Sequence, residues 1–331
     1  MNSFEYAAPE TESQAVEMLG THDGNTAVLA GGTDLIRLMK RELLAPKRVV
    51  DIKNVASMRG VSPDGDGVAI GVLTTLEELV ASPLLADYRS LADVVDGIRA
   101  IQMQQTGTIG GDLCHLPNCW YFRNGYGLLG MEGSESVVEL GDNRYHAILG
   151  NDGPAKHVNA SRFAPSLIAW GARVRIIGPQ PRQQTVLPLE EFYITPQSDQ
   201  GKTTFLEPGQ LVSHIWLPAA GAVQSATYEV LQLQGLDWPL AAAAACLELE
   251  AGHVRDARIV LGHVAPTPWV SPEAAAALRG KSITELSAQR AGEAAVAEAT
   301  PLSDNEYKVR LAQTAVKRAV LRAAGQLEEN L

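Results

Sequence analysis

The chain has 331 residues, 46% hydrophobic and 20% charged, and its 27 Lys and Arg against 38 Asp and Glu leave a net charge of −11. That balance belongs to a folded globular protein and disfavours nucleic acid or an anionic membrane as partner. Cys114, Cys119 and Cys246 are too few and too scattered for a disulfide framework, the N-terminus lacks a signal-peptide pattern and no apolar run spans a bilayer, so a cytoplasmic chain with no membrane contact is expected.

Residues 1–56 read as a small α/β subdomain. Thr11 followed by Gln14 has the spacing of a capping box ahead of Ala15, Met18 and Leu19, and Gly20 is placed to close that helix. A strand then runs to Leu29 and stops at Gly31 and Gly32, with Thr33 and Asp34 positioned to cap an amphipathic helix through Leu35, Leu38 and Met39. Glycines at such a turn permit positive φ and close approach to a ligand, and a helix starting there directs unpaired N–H groups at an anion such as a pyrophosphate. Residues 49–52 supply another strand.

Residues 57–217 read as a second subdomain, with a strand at 67–71, a helix at 76–80 and a helix at 91–102 leading into a second glycine loop, Thr106-Gly107-Thr108-Ile109-Gly110-Gly111-Asp112. The segment 113–157 lacks clear periodicity and reads as an insertion, a length of irregular chain that is usually functional. Helix 163–170 and strands 173–177 and 211–216 close the unit, and Pro218-Ala219-Ala220-Gly221 is a linker. In residues 222–331, Ala241 to Ala245 reads as a close-packed strand, Leu247 and Leu249 alternate with polar neighbours, Gly252 offers a turn, and 257–262 returns as a hairpin. Helices follow at 272–279, 283–299 and 306–323, the last with Leu311, Ala315, Ala319 and Leu321 on one side. The fold class is α+β, a two-subdomain α/β module followed by a domain of antiparallel sheet plus helices.

No catalytic set is visible. The seven histidines are dispersed, none pairs with Cys or Asp at a metal-ligand spacing, and G-x-S-x-G, P-loop and G-x-G-x-x-G patterns are absent. Two glycine loops about 75 residues apart suit a long cofactor held between two subdomains, and chemistry in this chain would be carried by that cofactor.

Ala30-Gly31-Gly32-Thr33-Asp34-Leu35, Asp51-Ile52-Lys53, Ile70-Gly71 with Thr74-Thr75, and Thr108-Ile109-Gly110-Gly111, in that order, resemble the flavin-binding medium subunit of the molybdenum hydroxylase family, which includes xanthine dehydrogenase, aldehyde oxidoreductase and carbon monoxide dehydrogenase. Asp237-Trp238-Pro239-Leu240, Val264-Ala265-Pro266-Thr267-Pro268-Trp269 and Asn305-Glu306-Tyr307-Lys308 extend the likeness to the family's C-terminal domain. The resemblance implies a vanillyl-alcohol-oxidase/PCMH-like module holding FAD through Leu29, Ala30, Gly31, Gly32, Thr33, Asp34 and Leu35 from the first subdomain, with 30–34 at the pyrophosphate and flanking the isoalloxazine. Thr106, Thr108, Gly110, Gly111 and Asp112 would complete the site from the second. It also implies two partners, a molybdopterin-binding large subunit and a small subunit with two-iron, two-sulfur clusters.

The chain departs from the family pattern at two places: Asp112 stands where the family has Asn, and Ala160-Ser161-Arg162 where it has Pro-Ser-Asp, which reverses a charge expected near the cofactor. Cys119-Trp120-Tyr121-Phe122-Arg123-Asn124 and Asn143-Arg144-Tyr145-His146-Ala147-Ile148 resemble a branch whose insertion ligates a four-iron, four-sulfur cluster through cysteines. Between Cys119 and Asn143 there is no further Cys, so the expectation is a retained insertion without an iron–sulfur cluster, FAD being the only cofactor. The resulting reading is an FAD-containing oxidoreductase subunit that passes electrons from a partner's clusters to an external acceptor, with no catalytic acid or base and no metal ligand of its own. The alternatives are a structural or assembly subunit with a weakened flavin site, and a free-standing FAD oxidoreductase.

Overall fold

The computed structural model describes residues 1–20, 25–233 and 237–327; the remainder of the expected first and last domains lies outside the described residues. Chain order begins β1 (Glu5–Ala7), α1 (Glu12–Leu19), β2 (Thr26–Leu29), α2 (Leu35–Lys40) and β3 (Arg48–Asp51). Thr11 Oγ1 accepts from Gln14 N at 3.2 Å to start α1, as the spacing anticipates. The three strands form a parallel sheet of order β1-β3-β2, which brings the end of β2 beside Asp51.

Next come β4 (Val61–Asp64), β5 (Gly67–Gly71), α3 (Leu76–Ala81), α4 (Arg89–Gly97), α5 (Ile101–Thr106) and α6 (Ile109–Leu113). The expected single helix at 91–102 is two helices broken after Gly97. The break falls at the poorest helix former of the stretch, and a Cβ there would lie 2.7 Å from Arg162 Nη2, so only glycine fits against the ion pair of Arg162 and Glu229. The insertion carries α7 (Trp120–Arg123), a hairpin of β6 (Met131–Glu132) and β7 (Glu135–Ser136), and α8 (Val137–Leu140). Then follow α9 (Ala164–Ala169), β8 (Arg173–Ile177), β9 (Gln184–Pro188) and β10 (Leu211–Leu217). The second sheet is antiparallel, order β4-β5-β10-β8-β9, and one hydrophobic cluster runs from Ala15 and Val50 through Ile70 and Ile215, joining both sheets.

The last part comprises β11 (Gln224–Val230), β12 (Ala241–Glu250), β13 (His253–Gly262), β14 (Trp269–Val270), α10 (Pro272–Leu278), α11 (Glu285–Ala295) and α12 (Tyr307–Ala323). The strands form an antiparallel sheet in sequence order. In β12 the period of two divides the side chains between two cores: Ala241, Ala243, Ala245 and Leu247 face one, whereas Ala244 and Cys246 face the core shared by the first two sheets. Alanines let α12 and α9 approach β12 from opposite sides. The buried stripe of α12 is Ala312, Ala315, Val316, Ala319 and Val320, so Leu311 lies at its flank rather than in it. Among the described residues no helix is long and apolar enough to cross a membrane.

Candidate functional site

From Leu29 the chain turns through Gly31 and Gly32, the latter at φ +75°. A Cβ on Gly31 would overlap the Thr106 carbonyl oxygen and lie 2.9 Å from its carbon, so only glycine fits where the first loop crosses the second. Among the described residues the backbone N–H groups of Gly31, Gly32, Thr33 and Asp34 donate to no acceptor. They border a cleft of about 270 Å³ with an apolar floor that includes Leu38, Ile52, Val72 and Leu211. A row of unpaired amides beside an apolar slot is what the phosphates and flat ring of a dinucleotide complete.

The second loop is built differently. Ile109 N donates to Thr74 O at 3.1 Å, Gly110 N to Val72 O at 3.0 Å, and Gly111 N to Thr108 Oγ1 at 3.1 Å. A Cβ on Gly110 would sit 2.5 Å from Val72 Cβ, so this glycine serves close packing against the second sheet. Residues 30–35, Thr108, Gly110 and Gly111 line the cleft, with Cys114, His115 and Leu116 added by the start of the insertion. Leu29, Thr106 and Asp112 are not in its lining; the Thr106 hydroxyl donates to Gln102 O at 2.6 Å within its own helix.

The carboxylate of Asp112 is turned to the start of α9. It accepts from the N–H groups of Arg162 and Phe163, both at 3.1 Å, and from the Ser161 hydroxyl, which in turn accepts from Ala164 N. Burial raises the Asp112 pKa, and these donors oppose the rise. Asp112→Asn, which keeps one oxygen, is expected to cost about 1–2 kcal/mol in thermal or urea unfolding while flavin content per chain stays unchanged. Arg162 in turn is paired with Glu229, Nε to Oε1 at 2.9 Å, and both side chains are less than a tenth exposed. The two departures from the family pattern are thus each matched by a partner inside the protein.

Asp34 does not cap α2, since its side chain makes no cap hydrogen bond. Arg123 takes the carboxylate with two contacts, Nη1–Oδ1 at 2.6 Å and Nη2–Oδ2 at 3.2 Å, and also donates to the carbonyls of Leu116 and Pro117. This bidentate clamp fixes the insertion over the glycine turn. Sequence reasoning had no means of pairing residues 89 positions apart. His115 lies beside it, Nε2 3.5 Å from Asp34 Oδ1, with its ring edge-on to Trp238 at 4.8 Å between centroids. Burial lowers the His115 pKa although the Asp34 charge pulls the other way.

The far end of the insertion is stitched to the C-terminal domain. Asn143 Nδ2 donates to Ser303 Oγ at 2.8 Å, Asn305 Nδ2 to the carbonyls of His146 and Ala147, and Ile148 N to Val264 O. Cys119 Sγ lies 3.1 Å from His146 Nε2, a pairing across 27 residues that spacing rules do not reveal. Among the described residues no three His, Cys, Asp or Glu side chains converge in a set able to hold a metal ion. Lys156, nearly buried, pairs with Glu139 at 2.8 Å. Burial pushes His146 and His157 down to about 4. Unfolding restores their ordinary pKa near 6.5, so the unfolded chain binds more protons between about pH 4 and 6.5 and stability falls as pH drops through that window. Lowering the pH from 6.5 to 5 is expected to cost about 3 kcal/mol between them, read as a shift in urea midpoint that His146→Gln/His157→Gln removes.

Comparison with known proteins agrees with this architecture. The model of the FAD binding domain in molybdopterin dehydrogenase matches residues 2–220, and that of the CO dehydrogenase flavoprotein C-terminal domain matches residues 226–323. The chain is 29% identical over 322 residues to the carbon monoxide dehydrogenase medium chain of Hydrogenophaga pseudoflava, covering 96% of each. It is 26% identical to the aldehyde oxidoreductase FAD-binding subunit PaoB of Escherichia coli, covering 98% of this chain and all of that one. A solved structure of the Hydrogenophaga pseudoflava carbon monoxide dehydrogenase superposes with a TM-score of 0.76 at 28% identity, covering 99% of both chains. With two glycine loops meeting at one cleft and both models aligned end to end along it, the chain belongs to the FAD-binding domain family of the molybdopterin dehydrogenases.

Proposed function

We propose that this chain is the FAD-carrying electron-transfer subunit of a molybdenum hydroxylase, an oxidoreductase subunit whose organic substrate is oxidised elsewhere in the complex. The observation that carries the reading is the row of unpaired amides at Gly31, Gly32, Thr33 and Asp34 above an apolar cleft. When bound, FAD supplies the capacity to take up electrons and release them to an acceptor. The chain's own residues bind and orient it. The amides of 31–34 would hold the pyrophosphate, Ala30, Leu35, Thr108, Gly110 and Gly111 would shape the walls around it, and the Asp34–Arg123 clamp keeps the insertion over the cleft.

The relatives are medium chains or subunits, parts of larger enzymes. The partners proposed here are a molybdopterin-binding large subunit and a small subunit with two-iron, two-sulfur clusters, whose nearest cluster must lie close to the flavin. In a cytoplasmic complex of this kind the chain divides into residues 1–56, 57–217 with the insertion, and 222–331. The structural-subunit reading drew on Asp112, Arg162 and the missing cluster cysteines, and the internal partners of the first two remove its electrostatic ground.

The test is an absorption spectrum of the purified chain, with the released chromophore identified and iron counted on the same sample. Near-stoichiometric FAD without iron supports the reading. Bound iron contradicts the expectation of FAD as sole cofactor, and a chain colourless even after incubation with FAD and its partners overturns the electron-transfer role.

A further inference from the structure

His115 stands where the cleft, the clamp over it and the C-terminal domain meet. It lines the cleft between Cys114 and Leu116, and its ring packs against Trp238 from the last domain. The glycine loop just before it is tied to the second sheet at Ile109 and Gly110, which fixes where the ring can lie.

The two ring nitrogens have different surroundings. Nδ1 lies 2.6 Å from Leu116 O, a carbonyl that can only accept, so Nδ1 carries a proton in both charge states of the ring. Nε2 is then the nitrogen that titrates. It reaches Asp34 Oδ1 only at 3.5 Å, too far for a full hydrogen bond, and that oxygen already accepts from Arg123 Nη1 at 2.6 Å. In the neutral ring Nε2 is thus an acceptor set against a carboxylate, and only a proton on Nε2 turns the contact into an attraction. Among the described residues Nε2 is not one of the fully enclosed polar atoms without a partner, so it keeps surface beside the cleft that His115 lines.

Charges of both signs face the ring. Burial is the largest influence and favours the neutral form, and Arg123 from α7 adds to it; Asp34 from the start of α2 and Asp112 from α6 pull the other way. Cys114 stays a thiol, pushed up to about 12 by burial. His263, just after β13, is held neutral by its own burial, and behind it Lys308 donates to the carbonyls of Tyr145 (3.2 Å), His146 (2.9 Å) and His263 (2.8 Å). His115 is therefore neutral at rest, in a place where added negative charge in the cleft favours its protonation. Asp34 cannot swing away from the imidazolium that would form, because Arg123 grips both of its oxygens.

We infer that His115 Nε2 takes up a proton when electrons enter the cofactor, so that electron transfer through this chain carries one protein-bound proton with it. The inference rests on the electron-transfer reading above. Two electrons from the partner's clusters bring two negative charges to the cleft. One proton from solvent goes to the cofactor and one to Nε2, which then donates to Asp34 Oδ1. Both protons leave again when the electrons pass to the acceptor.

The experiment is a pH titration of His115 by heteronuclear NMR in the FAD-loaded full chain, with the ring assigned through residues 114–116, first oxidised and then reduced anaerobically with dithionite. The His115 pKa is expected to lie at least about one unit higher in the reduced chain, a tenfold tighter hold on the proton. By reciprocity, as pH falls through that window the wild-type cofactor becomes about tenfold easier to reduce, about 30 mV for two electrons, beyond any change in His115→Gln, which has no titrating nitrogen. A His115 pKa equal in the two redox states overturns the proposal. A ring already protonated in the oxidised chain at about pH 7 overturns it too, since His115 would then be a standing ion pair with Asp34. A wild-type chain that takes up no FAD overturns the electron-transfer reading itself, whereas one that binds and reduces FAD with His115 unmoved overturns this inference alone.

Discussion

Gly31→Ala is expected to leave a folded chain that binds FAD at least about 100-fold more weakly, a loss of about 3 kcal/mol. The added Cβ meets the Thr106 carbonyl, a backbone group at the end of α5 that no rotamer change can move aside. The two loops must separate, and the amides of 31–34 move with the first of them, away from the position proposed for the phosphates. The same substitution at Gly20, where a Cβ meets nothing closer than 3.5 Å, should leave FAD binding intact. Flavin fluorescence on reconstitution measures both. Full FAD retention by Gly31→Ala would show that the loop contact is not what sets the cleft.

Arg162→Ala should destabilise the fold by about 3–5 kcal/mol, because it strands Glu229 as a buried carboxylate with its counter-charge gone. Burial already raises the Glu229 pKa, and Arg162 is the main influence against it. Replacing both partners, as Arg162→Met/Glu229→Met, should cost far less than the single change, since no charge is left uncompensated. Urea unfolding of the two singles and the double gives the coupling directly. A single-variant loss below about 1 kcal/mol would mean that water reaches the pair and screens it.

Both cases show where sequence reading succeeds and where it stops. The first glycine turn was legible because an apolar run ending in Gly31-Gly32 leaves few conformations open, and the helix–strand order around it follows from periodicity. The amphipathic helix 306–323 and the hairpin through Gly252 appear for the same reason. Strands β9 and β11 were not read, since Gln184–Pro188 and Gln224–Val230 alternate weakly and owe their state to neighbours. Nothing local announces that Gly97 lies against an ion pair formed by residues 162 and 229. Asp112 and Arg162 were visible as departures, but their partners Ser161, Phe163 and Glu229 are found only by folding. Arg123 stood in a recognisable motif, yet nothing local announces that Asp34 is its partner.

Lys308 gives the protein a built-in clock. The residue is 1% exposed, and burial pushes its pKa down to about 7. An acylating reagent therefore cannot reach it while the insertion and the C-terminal domain stay together, however long the exposure. Each transient parting of these two pieces offers the amine to the reagent once. With reagent concentrated enough that acylation outpaces reclosing, the rate at which Lys308 is labelled, followed by mass spectrometry of the peptide that contains it, counts those openings in the otherwise native protein.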